Sequence, residues 1–369
     1  MHRVPGSDRS SVFAVKQDLD RWLLGESECS SDAKTSVQVG ARALTAAGLW
    51  DQCSTDNLDE ILVFHRAWAR EEQRNASAHA GLANVLLLAS YFNLIEGSVA
   101  LLQARSELWR AQLLDPELAA TRCAGAWLAF WQDRNVAEAQ MGFASALERD
   151  PNCWFAQLGQ AWLYSLTGDS RRASLAAEHL LEATGFSSPS AAAACSIHFH
   201  QGEFQKALWV ASQAIASRSG GRDLRVLHGL ALLHIGESAQ AVAMLEREMA
   251  ASAEQPMLVG YMGYAYGLVR EQHKALNCLG LLERMSNRQV PGCSFPLALV
   301  CLSLGREQDT LDWLEHGVRE NCFYCLGLGT NTILHCLSSD ARFERLARAV
   351  QVPLAQARRS RVREVDVFA

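Results

Sequence analysis

Cys322-Phe-Tyr-Cys325, with His335-Cys336 about ten residues further on, comes nearest in type and spacing to a reaction centre. Two thiols in a Cys-x-x-Cys suit zinc, and the following His and Cys are two further ligands of the right kind. The segment has few lysines or arginines, no second Cys-x-x-Cys, and no surrounding βαβ pattern of the sort that carries a redox dithiol. Packed thiols are therefore the preferred reading of Cys322, Cys325, His335 and Cys336, and metal ligation is the alternative. His198 and His200, in "IHFH", face about 200° apart on a helix, so they read as structural histidines near a helix end rather than as a ligand pair. "CLGLGTN" is glycine-rich but lacks the lysine and strand context of a phosphate loop. No Gly-x-Ser-x-Gly, His-Glu-x-x-His or kinase-like set is present. The expectation is a protein that is not an enzyme and takes no cofactor.

The elements that must position these residues follow from composition and period. The chain has 369 residues, 49% apolar and 20% charged, enough for a large core and unlike a disordered sequence. A formal net charge of −6 excludes a global basic field for nucleic acid. The most apolar run, "AGLANVLLLASYFNLIEGSVALL", is broken by Asn84, Asn93 and Glu96, which argues against a membrane span. The first residues lack the apolar core of a secretory leader. Eleven cysteines are scattered through apolar helical patterns without framework spacing, which points to buried free thiols and a reducing cytoplasm.

The period is 34. Ala139, Ala173, Ala207, Ala241 and Ala275 follow one another at that spacing, and Gly168, Gly202 and Gly236 recur in phase with them. Two helices of about a dozen residues with two short turns consume about 34 residues. A small residue early in the second helix admits the first helix closely, and glycine ends the first helix in the left-handed conformation. Such a pair cannot bury its apolar stripe alone, so successive pairs stack.

On these residues the sequence resembles a tetratricopeptide-repeat protein. The family's small–large–small–Pro pattern stands at Ala104, Leu108, Ala111 and Pro116, and again at Ala139, Phe143, Ala146 and Pro151. A further pair carries Gly305 at its turn and Thr310 where alanine is expected. The resemblance implies an all-α right-handed superhelix of about eight helix pairs, over residues 38–320. "ASAHAGLANVLLLASYF" is similar to the repeat regions of bacterial helix-turn-helix regulators. Those regulators often end in an Asp-x-Arg-Phe step, matched here by Asp340, Arg342 and Phe343 within a capping segment at 321–353. Asp340 is the expected N-cap of the helix that carries Phe343, Leu346 and Val350. A tail at 354–369 holds Arg358, Arg359, Arg361 and Arg363.

The opening stretch, "HRVPGSDRSSVFAVKQDLDRWL", resembles the back half of an excisionase-type winged helix-turn-helix. Its wing spans Arg3 to Ser11, its strand Val12 to Val15, and its short helix carries Trp22. Residues 1–25 are thus expected to be a β-hairpin/helix remnant, followed by a polar linker at 26–37. A frayed terminus is the competing reading. The two recognition helices that precede such a wing are absent, so sequence-specific DNA contact is expected only if an upstream in-frame extension encodes them.

The function expected is a cytoplasmic protein–protein interaction scaffold that holds a peptide or protein partner in a concave groove. By resemblance it is the sensory or partner-binding part of a bacterial transcriptional regulator. The alternatives are a DNA-binding regulator with a misassigned start and a zinc or enzymatic protein. Groove-facing candidates on first helices are Arg122, Gln157, Gln160 and Tyr261. Trp127, Trp131, Trp154, Phe155, Trp162 and Tyr164 crowd two repeats and are expected mainly in the core and the seams between repeats.

Overall fold

The structure is a computed structural model that describes residues 46, 53–54, 56–184, 188–217, 221–251 and 255–350. The chain divides into two compact units, Met1–Asp51 and Gln52–Ala369. In the first only Ala46, helical and buried, is described. The wing-like residues 1–25, the linker at 26–37 and the tail at 354–369 lie outside the described residues.

The second unit runs through α1 (Leu58–Glu71), α2 (Ala76–Tyr91), α3 (Gly97–Leu114), α4 (Ala119–Trp131), α5 (Val136–Arg149), α6 (Trp154–Leu166), α7 (Ser170–Thr184) and α8 (Ser188–His200). It continues through α9 (Phe204–Ala216), α10 (Arg222–His234), α11 (Ser238–Ala251), α12 (Pro256–Leu268), α13 (Gln272–Asn287), α14 (Ser294–Ser303) and α15 (Glu307–Arg319). Two short 3-10 helices follow, Phe323–Gly327 and Thr332–Leu337, and then α16 (Ala341–Val350). No strand occurs among the described residues. Seven antiparallel pairs, α2–α3 to α14–α15, stack in order, with α1 packed on α2.

The repeat period appears as packing. Ala104, Ala139, Ala173, Ala207, Ala241 and Ala275 each have no exposed surface, so every one of these second helices buries its small residue within the stack. Thr310 takes the same place in the last pair, and its hydroxyl donates to Arg306 O at 2.9 Å, so no polar group is orphaned there. The turns are phased too. Gly168, Gly202, Gly236 and Gly305 have φ between 71° and 97°, and at the matching turns of two other pairs Arg134 (φ 55°) and Arg270 (φ 63°) take the same left-handed conformation. First helices are buried on nearly every side, as in α2 from Ala78 to Tyr91. Second helices bury one stripe and turn the opposite face outward.

At the far end α16 is tied to α15 by Arg342, whose guanidinium bonds Glu315 at 2.7 Å and Asp312 at 2.6 Å. The Arg342 hydrogen bond holds the Glu315 carboxyl below its usual range. Asp340 Oδ1 accepts the Arg342 and Phe343 amides at 2.6 and 3.0 Å, an N-cap on a helix of only ten residues. Replacing Asp340 by alanine is expected to cost about 1 kcal/mol locally, seen as roughly fivefold faster hydrogen exchange over 341–350. Unchanged exchange there would remove the cap from this account.

Candidate functional site

The first helices line a channel, and the chain's own residues 320–337 occupy it. The segment enters where α3 begins. The Ser98 amide donates to Glu320 O at 3.0 Å, and Gly97 has no room for a Cβ, which would lie 2.6 Å from that carbonyl. Trp131 Nε1 then donates to Asn321 O at 3.0 Å, and the Cys322 thiol donates to Asn93 Oδ1 at 3.6 Å. Further along, His200 Nε2 pairs with Thr330 Oγ1 at 2.9 Å, and Thr332 Oγ1 donates to His200 O at 3.1 Å.

Phe323 is the anchor. Its ring lies 4.8 Å from Tyr91, 5.0 Å from Trp131, 5.2 Å from Trp162 and 5.9 Å from Trp127, mostly edge to face. These four rings come from α2, α4 and α6, so one side chain binds three repeats together. The cage is itself cross-braced: Trp127 Nε1 donates to Phe155 O at 3.1 Å, and Trp162 Nε1 to Tyr91 Oη at 3.3 Å. Beside it Tyr324 stacks on Phe295 of α14 at 5.3 Å. Burial pushes the Tyr91 hydroxyl up to about 12 and Tyr324 well above its ordinary value, so both stay neutral.

Of the four residues expected in the groove, Tyr261 lines the channel, at a cavity it shares with Tyr324. Arg122 instead pairs with Glu117, which also holds Arg149 at the end of α5, the second helix of the same pair. Gln157 Nε2 donates to Pro151 O at 2.8 Å, and Gln160 is half-buried on the same helix. The cysteine cluster does not assemble. Cys322 and Cys325 are buried, whereas His335 and Cys336 are exposed, and no set of three ligands converges anywhere among the described residues. The reason is local: positions i and i+3 of a 3-10 helix share a face, so Leu334 and Leu337 turn inward and carry His335 and Cys336 outward. A hydrogen bond with Cys322, together with burial, raises the Cys325 thiol well above its ordinary value, which makes it a poor nucleophile. His198 and His200 diverge as expected, His198 to Glu203 at 2.7 Å and His200 to Thr330.

The outer face carries a second feature that sequence reasoning missed. On α3, Val99, Leu102, Trp109 and Leu113 are exposed, the last three by 61–67%, and with Ser106 they follow a 3–4–3–4 spacing. The opposite stripe of α3, Ala100, Ala104, Leu108 and Ala111, is buried, so this helix is apolar on two sides. At Ser106 the seam meets a groove of about 700 Å³ between α1 and α3, floored by Leu82 and Leu86 and walled by Arg66, Arg70 and Arg110. Arg110 pairs with Glu107 at 3.1 Å; Arg66 and Arg70 have no ion pair among the described residues.

Stacked helix pairs with a buried alanine in six of the seven second helices, Thr310 in the seventh, and a left-handed residue at each turn define the architecture. The fold is of the tetratricopeptide-repeat type. Solved chains with similar arrangement include human IFIT1, as a dimer with m7Gppp-AAAA, with a TM-score of 0.54 and 13% identity over 84% of this chain and 69% of that one. The Cut9–Hcn1 hetero-tetramer of the APC/C gives a TM-score of 0.53 and 16% identity over 91% of this chain, which spans 60% of its counterpart. A tetratricopeptide repeat protein from Parabacteroides merdae ATCC 43184 is similar at 0.45 and 11% identity, covering 73% of this chain and 98% of that one. No family model matches the sequence, and no curated protein does. Among the described residues no helix is long and apolar enough to cross a membrane.

Proposed function

We propose that the protein is a non-enzymatic interaction scaffold that receives an amphipathic helix of a partner protein on its outer face, in the groove between α1 and α3. The observation that carries this reading is the exposed 3–4–3–4 seam of Val99, Leu102, Ser106, Trp109 and Leu113. That spacing is how one helix presents knobs to another. A monomeric surface has no use for three large apolar side chains in a row at more than 60% exposure. The arginines of the adjoining groove favour a partner helix with acidic flanks. The inner channel, where the repeat pattern led one to expect the partner, already holds the chain's own segment, and this supports placing the partner outside.

The resemblance of residues 76–92 to regulator repeats supports a setting in bacterial transcriptional control, in the cytoplasm, with this chain as the partner-binding part. Photo-crosslinking from position 109 in the cell of origin, followed by calorimetry with the purified partner, tests the proposal. Leu102→Asp with Trp109→Asp should weaken binding at least tenfold without lowering the melting temperature. Arg70→Glu should weaken it a few-fold and reduce its salt dependence. Crosslinks confined to residues 1–52 of the same chain, or to a second copy of it, would overturn the reading.

A further inference from the structure

Two thiols that the outer groove does not use meet between α4 and α6. These helices lie side by side at this level: Trp127 stacks on Phe155 at 4.7 Å, and its Nε1 donates to Phe155 O at 3.1 Å. Cys123 stands one turn before Trp127 on the same face of α4. Cys153 stands two residues before Phe155, at the N-cap of α6. The shared contact brings the two thiols into hydrogen-bond contact with each other.

Their surroundings differ. Cys123 is 1% exposed, whereas Cys153 is half-buried and closes a turn whose Pro151 and Asn152 are exposed. Burial, then the contact with Cys153, pushes the Cys123 thiol well above its ordinary value, so it keeps its proton. The hydrogen bond with Cys123 holds Cys153 below its ordinary value, and the amides of Phe155 and Ala156 at the head of α6 act in the same direction. Burial and Asp150 oppose this without reversing it. Cys195, Cys278, Cys293, Cys301 and Cys325 are buried with raised thiols, and the exposed Cys336 is raised as well. The pair thus joins a thiol that ionises readily near solvent to a buried thiol that carries a proton. A reactive cysteine and the cysteine that resolves it need that division.

We propose that Cys153 and Cys123 are a modification site for hydroperoxides, with Cys153 as the thiol oxidised and Cys123 as the thiol that resolves it into a disulfide. The Cys153 sulfur attacks the terminal oxygen of the hydroperoxide. An S–O bond forms, the O–O bond breaks, and the departing oxygen takes up a proton and leaves as an alcohol, or as water from hydrogen peroxide. Cys153 is then a sulfenic acid. The Cys123 sulfur next attacks the Cys153 sulfur; the S–S bond forms, the S–O bond breaks, and hydroxide leaves as water with the Cys123 proton. Two thiols have lost two electrons and two protons, and the hydroperoxide has taken up both. The disulfide ties α4 to the head of α6, and a dithiol reductant reverses it. The site is separate from the outer groove, and neither proposal depends on the other.

Oxidation of the full reduced chain, read by alkylation and peptide mass spectrometry, tests it. One equivalent of hydrogen peroxide at neutral pH is expected to yield the Cys123–Cys153 cross-linked peptide at least about tenfold faster than dimedone-trapped sulfenic acid at Cys336, the exposed reference thiol. Dithiothreitol should restore both thiols. Cys123→Ala should abolish the cross-link and leave at Cys153 a sulfenic acid that dimedone captures. Cys153→Ser should leave Cys123 unoxidised. If Cys123→Ala fails to fold, the peptide map of the unaltered chain decides alone. Cys153 reacting no faster than Cys336, a disulfide from either residue to any other cysteine, or a sulfenic acid at Cys153 that persists in the unaltered chain would each overturn the assignment.

Discussion

Taking the protein from pH 7 to pH 5 is expected to remove about 4 kcal/mol of folding stability through two side chains, His65 and His200. His65 is 3% exposed, its ring 5.4 Å from Phe64 and 5.7 Å from Trp68, and neither ring nitrogen has a hydrogen-bond partner. Its imidazole also lies 2.7 Å from where a Cβ on Gly81 would stand, so no water fits between. His200 is 7% exposed, 5.1 Å from Trp162, and it closes the channel through Thr330. Burial lowers both from 6.5 to about 4.

With the folded pKa depressed, the unfolded chain binds the protons first. Stability is therefore complete above pH 6.5 and falls as pH drops from there toward 4. At pH 5 each group has forfeited about 2 kcal/mol, before the carboxylates contribute much. Urea unfolding at pH 7 and pH 5 measures the difference, to which His234, also lowered by burial to about 4, adds, and His200→Gln should reduce it by about 2 kcal/mol. A change below about 1 kcal/mol between the two pH values would show that these rings are not buried as described.

Phe323→Ala is expected to cost about 3–5 kcal/mol, the range for emptying a fully buried aromatic site. Phe323 is 1% exposed, and three tryptophans and a tyrosine surround it. Those rings come from three separate repeats and cannot collapse onto the space without dragging helices with them, which places the cost toward the upper end. The same variant should loosen the whole segment 320–337. Tryptophan emission should shift to the red as Trp127, Trp131 and Trp162 meet water, and hydrogen exchange over 320–337 should accelerate. The helix pairs α8–α9 to α12–α13 should keep their protection, because they hold together by their own alanine contacts. A loss below about 1 kcal/mol with unchanged emission would show that the segment does not anchor the channel.

The outer seam and the inner channel differ in how far they were legible. The α3 seam was present in "VALLQARSELWRAQLL", where apolar residues stand on both faces of one helix. The alanine pattern accounts for Ala104, Leu108 and Ala111, and the surplus at Leu102, Trp109 and Leu113 was a readable sign of a second face. The channel occupant also left a trace. Residues 322–337 carry no lysine, arginine or carboxylate, which is unusual for a connection that stays in water. The crowd of tryptophans expected in the core turned out to include the walls of its socket.

What the sequence by itself determined was everything set by near neighbours: the helix pairs, the buried alanines 34 apart, the Asp340 cap and the left-handed turns. Even there, arginine at 134 and 270 hid two turns whose backbone matches that at the glycines, because the stacked pairs impose the conformation whatever residue occupies it. Only the tertiary structure decided that Cys322 meets Asn93 across 229 residues and that Trp131 meets Asn321 across 190. Those meetings depend on the small rotation between successive pairs, summed over seven of them. A local pattern sets each step of that sum to within its own scatter, and only the completed stack decides where the last segment lands.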